Sequence, residues 1–431
     1  MSKAKELPIR SHARGLLTLS PLAVFFLLYL LSSLLAGDFY KMPVTVAFVA
    51  ACAWAFTVCR PASAEKRIAR FSAGAAQGDI AIMIWIFVLA GAFAKTAGYI
   101  GAVDATVNMI LSVLPAQMLM PGIFLAACLI SLAIGTSVGT IVALMPVAAG
   151  VASSAGISPA LMAGIVIGGA FFGDNLSFIS DTTIAATRTQ GCRMKDKFRA
   201  NFLIVLPAAL AVLLLYTVTG WHVTAPVQAH AFSWWCVLPY AAVIAAALAG
   251  VHVMLVLILG IQFTALIAIC SGQLNLMDWA GAMGEGITGM GELIIVTLLA
   301  GGMLELIRYN GGLSYIVRHL TAHVHSRRGA EFCIALMAVF SNLCTANNTI
   351  AIVSVGRIAA RIAARFAIPA TRSASLLDTF SCVVQGMLPY GAQLLMASAL
   401  VGVSSAAIIP YLYYPMVMGV VALGFILFRA R

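Results

Sequence analysis

The sequence predicts an all-α integral membrane protein: two inverted-topology repeats of five transmembrane helices, each with a re-entrant hairpin and a broken helix. Three observations predict it. Of 431 residues, 62% are hydrophobic and only 9% charged, whereas a soluble domain carries about 25% charged residues. Apolar runs long enough to cross a bilayer, roughly 17–25 residues, recur from 16–36 to 411–428. The two halves of the chain also repeat short patterns in the same order.

The repeats set the organisation. Leu89-Ala90-Gly91 returns as Leu299-Ala300-Gly301, and Tyr99 and Gly101 return as Tyr309 and Gly311. Thr136-x-x-x-Thr140-Ile141 returns as Thr345-x-x-x-Thr349-Ile350. Internal repeats are a mark of secondary transporters. The expected division is a cytoplasmic N-terminus over 1–15, a first repeat over 16–219, an external linker over 220–231 without Lys or Arg, and a second repeat over 232–431.

In the first repeat the runs 16–36, 43–59, 80–98, 159–186 and 201–219 cross, while 118–155 turns back midway. Its tip is Gly135-Thr136-Ser137-Val138-Gly139-Thr140. A small, polar, Gly-rich tip suits backbone that is buried in protein or lines a cavity. In the second repeat 232–249, 251–270, 292–307, 373–399 and 411–428 cross, and 331–366 forms a hairpin with its tip at 341–349. This layout puts every Lys and Arg on the inner side except Lys41 and Lys95, as the positive-inside rule requires. Both termini are then cytoplasmic, in a multi-pass protein of the inner (plasma) membrane. An odd number of crossings per half requires the halves to be inverted.

Charge and cysteine usage exclude other classes. A net charge of +11 would suggest nucleic acid in a soluble protein. Here the basic residues sit in short loops between spans, so the expected partner is membrane lipid and no nucleic acid. Lys3, Lys5, Arg10 and Arg14 precede the first apolar run as in a signal peptide, but its length and the span behind it favour a retained helix. Cys52, Cys128, Cys270 and Cys382, among nine cysteines, lie within apolar runs and show no disulfide or metal spacing. His319, His323 and His325 lie in a basic loop without an acidic or cysteine partner. No transition metal and no cofactor are expected.

The chemistry must come from few residues. Of 14 acidic residues, four fall at or near membrane depth: Asp174, Asp181, Glu305 and Asp378. An acid in hydrocarbon costs about 2.5–3.5 kcal/mol on insertion scales, so each is a functional candidate. Asp174 and Asp181 bracket Gly173-Asp174-Asn175-Leu176-Ser177-Phe178-Ile179-Ser180-Asp181-Thr182-Thr183. Gly173 and Asn175 favour an interruption of the helix. An unwound segment with freed carbonyls, two carboxylates and the oxygens of Asn175, Ser177, Ser180, Thr182 and Thr183 suits a sodium ion or a proton. Asp181 equally suits the N-terminal cap of a second half-helix.

Thr136, Ser137 and Thr140 on the first tip, and Asn342, Thr345, Asn347, Asn348 and Thr349 on the second, are expected to line the site, or else to satisfy the backbone of their turns. Gln385-Gly386-Met387-Leu388-Pro389-Tyr390-Gly391 reads as a second helix break without a carboxylate, with Gln385 and Asp378 as auxiliaries. Lys95 and Glu305 occupy equivalent places in the two repeats and are auxiliaries or snorkelling residues.

Gly135-Thr136-Ser137-x-Gly139-Thr140 followed by Gly173-Asp174-x-Leu176-Ser177-x-x-Ser180-Asp181-Thr182-Thr183 resembles the NhaC family of sodium/proton antiporters, within the ion transporter superfamily. The resemblance covers most of the chain and is strongest between Gly135 and Phe202. It implies two inverted repeats with hairpin tips meeting at the site, an elevator-like motion and a homodimeric scaffold. It also implies Asp174, Ser177, Ser180, Asp181 and Thr182 as ion-site residues, with Na+ and H+ binding a carboxylate in turn. The chain departs from the family pattern at Asn175, where relatives often carry a basic residue, and at Phe178, where they carry proline. The near rival is a Na+- or H+-coupled carrier of an amino acid or organic acid. A more distant one is an intramembrane aspartyl protease using Asp174 and Asp378, although the first glycine of the Gly-x-Gly-Asp pattern is absent before Asp174.

Overall fold

Every regular element among the described residues is a helix. The computed structural model describes residues 12–36, 42–59, 63–177, 180–221, 223, 231–270, 275–322 and 324–428. Most of the expected N-terminal segment, most of the 220–231 linker, Phe178, Ile179, His323 and the C-terminal 429–431 lie outside them.

The expected runs appear as helices in order. His12–Ala36, Val44–Val58 and Gly78–Tyr99 precede a hairpin of Leu119–Ile134 and Ser137–Ser154. A broken pair, Pro159–Leu176 and Asp181–Gln190, follows, and then Met194–Gly220. The second half repeats this with Trp234–Leu248, Val253–Cys270, Gly291–Tyr309, the hairpin Arg327–Thr345 and Asn348–Arg365, the broken pair Ala370–Gln385 and Ala392–Val401, and Tyr413–Phe428. Among the described residues seven helices are long and apolar enough to cross a membrane, or eight with the pair Ala392–Val401 and Ser405–Tyr411, which bends by 98°. Met194–Gly220 turns Leu203, Leu210, Leu214 and Val218 outward, an apolar face suited to lipid.

Four helices were not expected. Ala64–Ala75, Ala102–Val113, Leu276–Gly289 and Gly312–Ala322 occupy segments that read as loops. They are too short to span, and their charged residues interrupt the apolar run that marks a span. Local capping defines two of them: Ser63 accepts from the Lys66 amide, and Asn275 from the Met277 amide.

The two halves match in conformation as well as order. Left-handed residues recur as Gly101 and Gly311, Gly135 and Ala346, Gly156 and Ala367, and Gly191 and Gly402, each pair 210 or 211 positions apart. At the tips Gly135 and Ala346 end the outgoing arms, and the extended Thr136 and Asn347 begin the returning ones. Thr136 therefore corresponds to Asn347, two positions beyond the Thr345 that the sequence pattern suggested. Repeated Thr and Ile in both tips gave that pattern a false register.

Packing is reciprocal. Gly78–Tyr99 lies on Val253–Cys270 and Leu276–Gly289, while Gly291–Tyr309 lies on Val44–Val58 and Ala64–Ala75. The outgoing arm of each hairpin packs on the first half-helix of its own repeat's break. The returning arm packs on the second half-helix of the other repeat's break. The breaks and tips are thus drawn to one place.

Glycine makes two of these crossings possible. A Cβ on Gly91 would strike the Gly286 carbonyl, and one on Gly286 would strike that of Gly91. A Cβ on Gly74 would strike the Gly301 carbonyl. Gly284, on the same helix as Gly286, has open space around it. Gly286→Ala should therefore lower thermal stability in detergent, whereas Gly284→Ala should hold or raise it by about 0.5–1 kcal/mol through helix propensity. Equal melting of the two variants would contradict the crossing.

Candidate functional site

The first break places a buried carboxylate between a helix end and a hairpin tip. Pro159–Leu176 stops where Ser177 turns extended, and Asp181–Gln190 starts after Ser180. Gly173 lies against the Ser131–Leu132 backbone, where a side chain would collide. That close approach brings Asp174, 5% exposed, up to the first tip. Ser137, at the start of the returning arm, donates to Asp174 Oδ2 at 2.9 Å. Ser180 donates to Oδ1 at 2.5 Å and makes no cap bond to the backbone. Thr182 Oγ1 lies 2.9 Å from Ser180 Oγ. Ser177 donates to the Leu132 carbonyl at 3.0 Å, tying the break to the outgoing arm.

A chain of amides joins the two tips. Gln393 Nε2 donates to Ser137 Oγ at 3.0 Å. Gln385 Nε2 donates to Gln393 Oε1 at 2.9 Å and to the Ala346 carbonyl at 3.2 Å. Ala346 is the left-handed residue of the second tip, so Asp174 is linked to that tip through two glutamines.

Beside this cluster lies a buried ion pair. Lys197 and Asp378 are 1% and 0% exposed, and their charged groups are in direct contact. Lys197 Nζ also donates to the Asn175 carbonyl and to Thr183 Oγ1, each at 2.8 Å. One turn on, Asn201 Nδ2 donates to Asn175 Oδ1 at 2.6 Å and to Asp378 Oδ2 at 3.0 Å. The sequence pattern that resembles the NhaC family departs from it at Asn175. Here the neighbouring helix delivers an ammonium to that residue's carbonyl.

The sequence reading placed some of these residues and missed others. Asp174, Ser137, Ser180, Thr182, Asn175, Thr183, Asp378 and Gln385 are brought together. Asp181 is exposed, in the first turn after the break, and stands apart from Asp174's hydrogen bonds. Lys95 is exposed beside Gly286, and Asp174 makes no contact with it. Thr140 bonds back to the Thr136 carbonyl, Thr345 to the Asn347 carbonyl, and Asn347 accepts from the Ile350 amide. These three serve their own turns. Asn342 reaches the Ser381 carbonyl at 2.7 Å, and Asn348 accepts from the Thr349 amide.

Lys197, Asn201 and Gln393 were not anticipated. Lys197 read as part of a basic loop. Its signal lies in helical spacing: Lys197, Asn201, Ile204, Val205 and Ala208 form the buried stripe of Met194–Gly220, with two polar residues on an otherwise apolar face.

Glu305 is buried and pairs with Arg308 at 3.3 Å. Both line a cavity of about 60 Å³ with Thr345, Asn347 and Tyr390 on the second tip's side.

Apolar spans, two interrupted helices and two hairpin tips around a buried carboxylate define the class: a multi-span membrane protein. The chain belongs to the Na+/H+ antiporter family, whose profile matches residues 14–221 and 224–430. Among curated relatives, the malate-2H+/Na+-lactate antiporter of Bacillus subtilis is 37% identical over 109 residues, 23% of this chain and 22% of that protein. NhaC of Alkalihalophilus pseudofirmus, a Na+/H+ antiporter, is 24% identical over 65% of this chain and 66% of its own length. NhaC of B. subtilis, likewise a Na+/H+ antiporter, is 25% identical over 78% and 80%. The match thus spans less than two thirds of the first two relatives' own length. Among solved structures, the Alcanivorax borkumensis YdaH transporter aligns over 89% of this chain and 98% of its own at 16% identity, with a TM-score of 0.41.

Removing one partner of a buried ion pair leaves the other charge stranded, at a cost of about 3–5 kcal/mol. Asp378→Asn should therefore melt well below wild type in detergent. Lys197→Met combined with Asp378→Leu should recover most of the loss. Failure of the double variant to recover would mean that the pair is not the source of the penalty.

Proposed function

We propose that this protein exchanges sodium ions for protons at one carboxylate, Asp174. A single observation carries the reading. Five charged residues among those described are buried: Asp174, Lys197, Glu305, Glu331 and Asp378. Glu305 has Arg308, Glu331 has Arg372 at 2.9 Å, and Asp378 has Lys197. Asp174 has only hydroxyl donors. A buried carboxylate without a cation is costly, so a proton or a sodium ion must neutralise it. Since one carboxylate takes either, the two ions compete and their movements are coupled. Two relatives named as Na+/H+ antiporters support the reading.

In this proposal the hairpins and broken helices form the unit that carries Asp174 between the two sides, elevator-like, in a homodimer, against the outer helices. The burial pattern supports such a division: an 18-residue window within 159–190 is 94% buried and Val253–Cys270 only 33%. Inverted repeats over 16–219 and 232–431 give the unit its two-sided access. The Lys and Arg distribution puts both termini in the cytoplasm, with the protein in the inner membrane.

A second reading has its own observation. The cavity at the second tip carries both Glu305 and Arg308, a lining of both charges that suits an amino acid or organic acid. Two relatives are named for such solutes, the malate-2H+/Na+-lactate antiporter and the arginine/ornithine antiporter of Halobacterium salinarum.

In liposomes with a pH gradient, sodium or lithium should dissipate the gradient through wild type and not through Asp174→Asn. Ser137→Ala or Ser180→Ala should weaken the apparent sodium affinity roughly ten- to a hundredfold, as expected for a hydrogen bond to a charged group of about 1.5–3 kcal/mol. Acidifying the sodium side should raise the apparent KM for sodium and leave the maximal rate unchanged. If no cation moves protons but an amino acid or organic acid does, the second reading replaces the first.

A further inference from the structure

We infer that Lys197 is a tethered cation filling a second cation site at the first helix break, so that Asp174 is left as the exchangeable buried charge among the described residues. The inference rests on the sodium–proton reading for its consequence in transport, but not for the site itself.

The ammonium sits among oxygens of the kind that bind a hard cation. One is the Asp378 carboxylate. One is the Asn175 carbonyl, in the last turn of a half-helix that stops at Leu176 and so lacks an onward helical partner. One is the Thr183 hydroxyl, in the first turn after the break. The three N–H groups of Lys197 meet these three oxygens. They come from both sides of the break and from the first half-helix of the other repeat's break. Asn201 closes the group and presents a buried Oδ1 with no hydrogen-bond partner among the described residues.

A purely structural bridge does not require this arrangement, because well-packed apolar residues replace buried ion pairs at little or no cost in stability. What an ammonium supplies and an apolar side chain does not is a fixed positive charge. Asp378 keeps it on every cycle, since Lys197 belongs to the chain. Asp174, in the same turn as Asn175, has no such charge. Neutrality inside the protein is then completed by one ion at one residue, either Na+ or H+. The exchange is one for one and moves no net charge.

The site can be tested without transport. Full-length protein in detergent would be melted in sodium chloride and in choline chloride of equal ionic strength. Asp174→Asn removes the exchangeable site and should melt alike in both salts. Adding Lys197→Gln should open the second site, giving a saturable, sodium-specific rise in Tm that Asp378→Asn then abolishes. If the Asp174→Asn, Lys197→Gln variant melts alike in both salts, the inference falls. Should that variant be isolated unfolded, refolding in sodium but not in choline supports a cation site, and failure in both overturns it. In liposomes with the membrane potential clamped by potassium and valinomycin, wild-type exchange should ignore the potential. Potential-driven exchange by wild type overturns the one-for-one consequence. If wild type exchanges no sodium for protons, the proposed function fails, while the melting comparison still decides the cation site.

Discussion

A helix that breaks inside a membrane frees carbonyl and amide groups that lipid cannot satisfy. The whole arrangement depends on how those groups are met. In the first half, Lys197 and Asn201 supply donors to the Asn175 carbonyl, and Ser177 ties the break to Leu132. In the second, the break supplies the donors and the tip the acceptors: Gln385 donates to the Ala346 carbonyl at 3.2 Å, and Tyr390 to the Leu343 carbonyl at 2.8 Å. Each break is tied to a hairpin by such bonds, so the hairpins fold against the breaks. The outer helices then need only present apolar faces to lipid.

The two halves share a backbone plan but not a chemistry. Left-handed positions match from one half to the other, and the close glycine crossings have counterparts in both. The carboxylate that faces hydroxyls, however, belongs to the first break, and the second contributes Asp378 already joined to Lys197. Gly135 turns the first tip at no steric cost, whereas Ala346 holds a φ of 49°, a conformation costing an L-residue about 1–2 kcal/mol. The second tip is therefore held by its surroundings, including Gln385, more than by its own preference.

Much of this was legible in the sequence. Runs of apolar residues marked the spans, glycine and polar clusters marked the tips and breaks, and the scarcity of acids singled out Asp174. The four short helices were not legible because amphipathic segments with charges look like loops when the search is for apolar runs. Lys197 was hidden by the same logic: in a stretch with Arg193, Lys195 and Arg199, only the face of the helix distinguishes it. Asp181 shows the converse: a carboxylate near a break reads as a ligand in sequence, while the fold leaves it exposed and apart from Asp174's hydrogen bonds. Gln393 lies far along the chain from Ser137, and no local pattern could connect them.

The glutamine bridge has one more consequence. Ser137, which holds Asp174, also accepts from Gln393, and Gln393 is held by Gln385 against the second tip. Under the proposed function, an ion bound at Asp174 would alter the hydroxyl it shares, and two amides connect that hydroxyl to Ala346. Thermodynamic linkage makes such an influence mutual. Under the proposed function, an occupant at the second tip would therefore change the affinity of the first by the same factor, so that neither tip could be loaded without the other registering it.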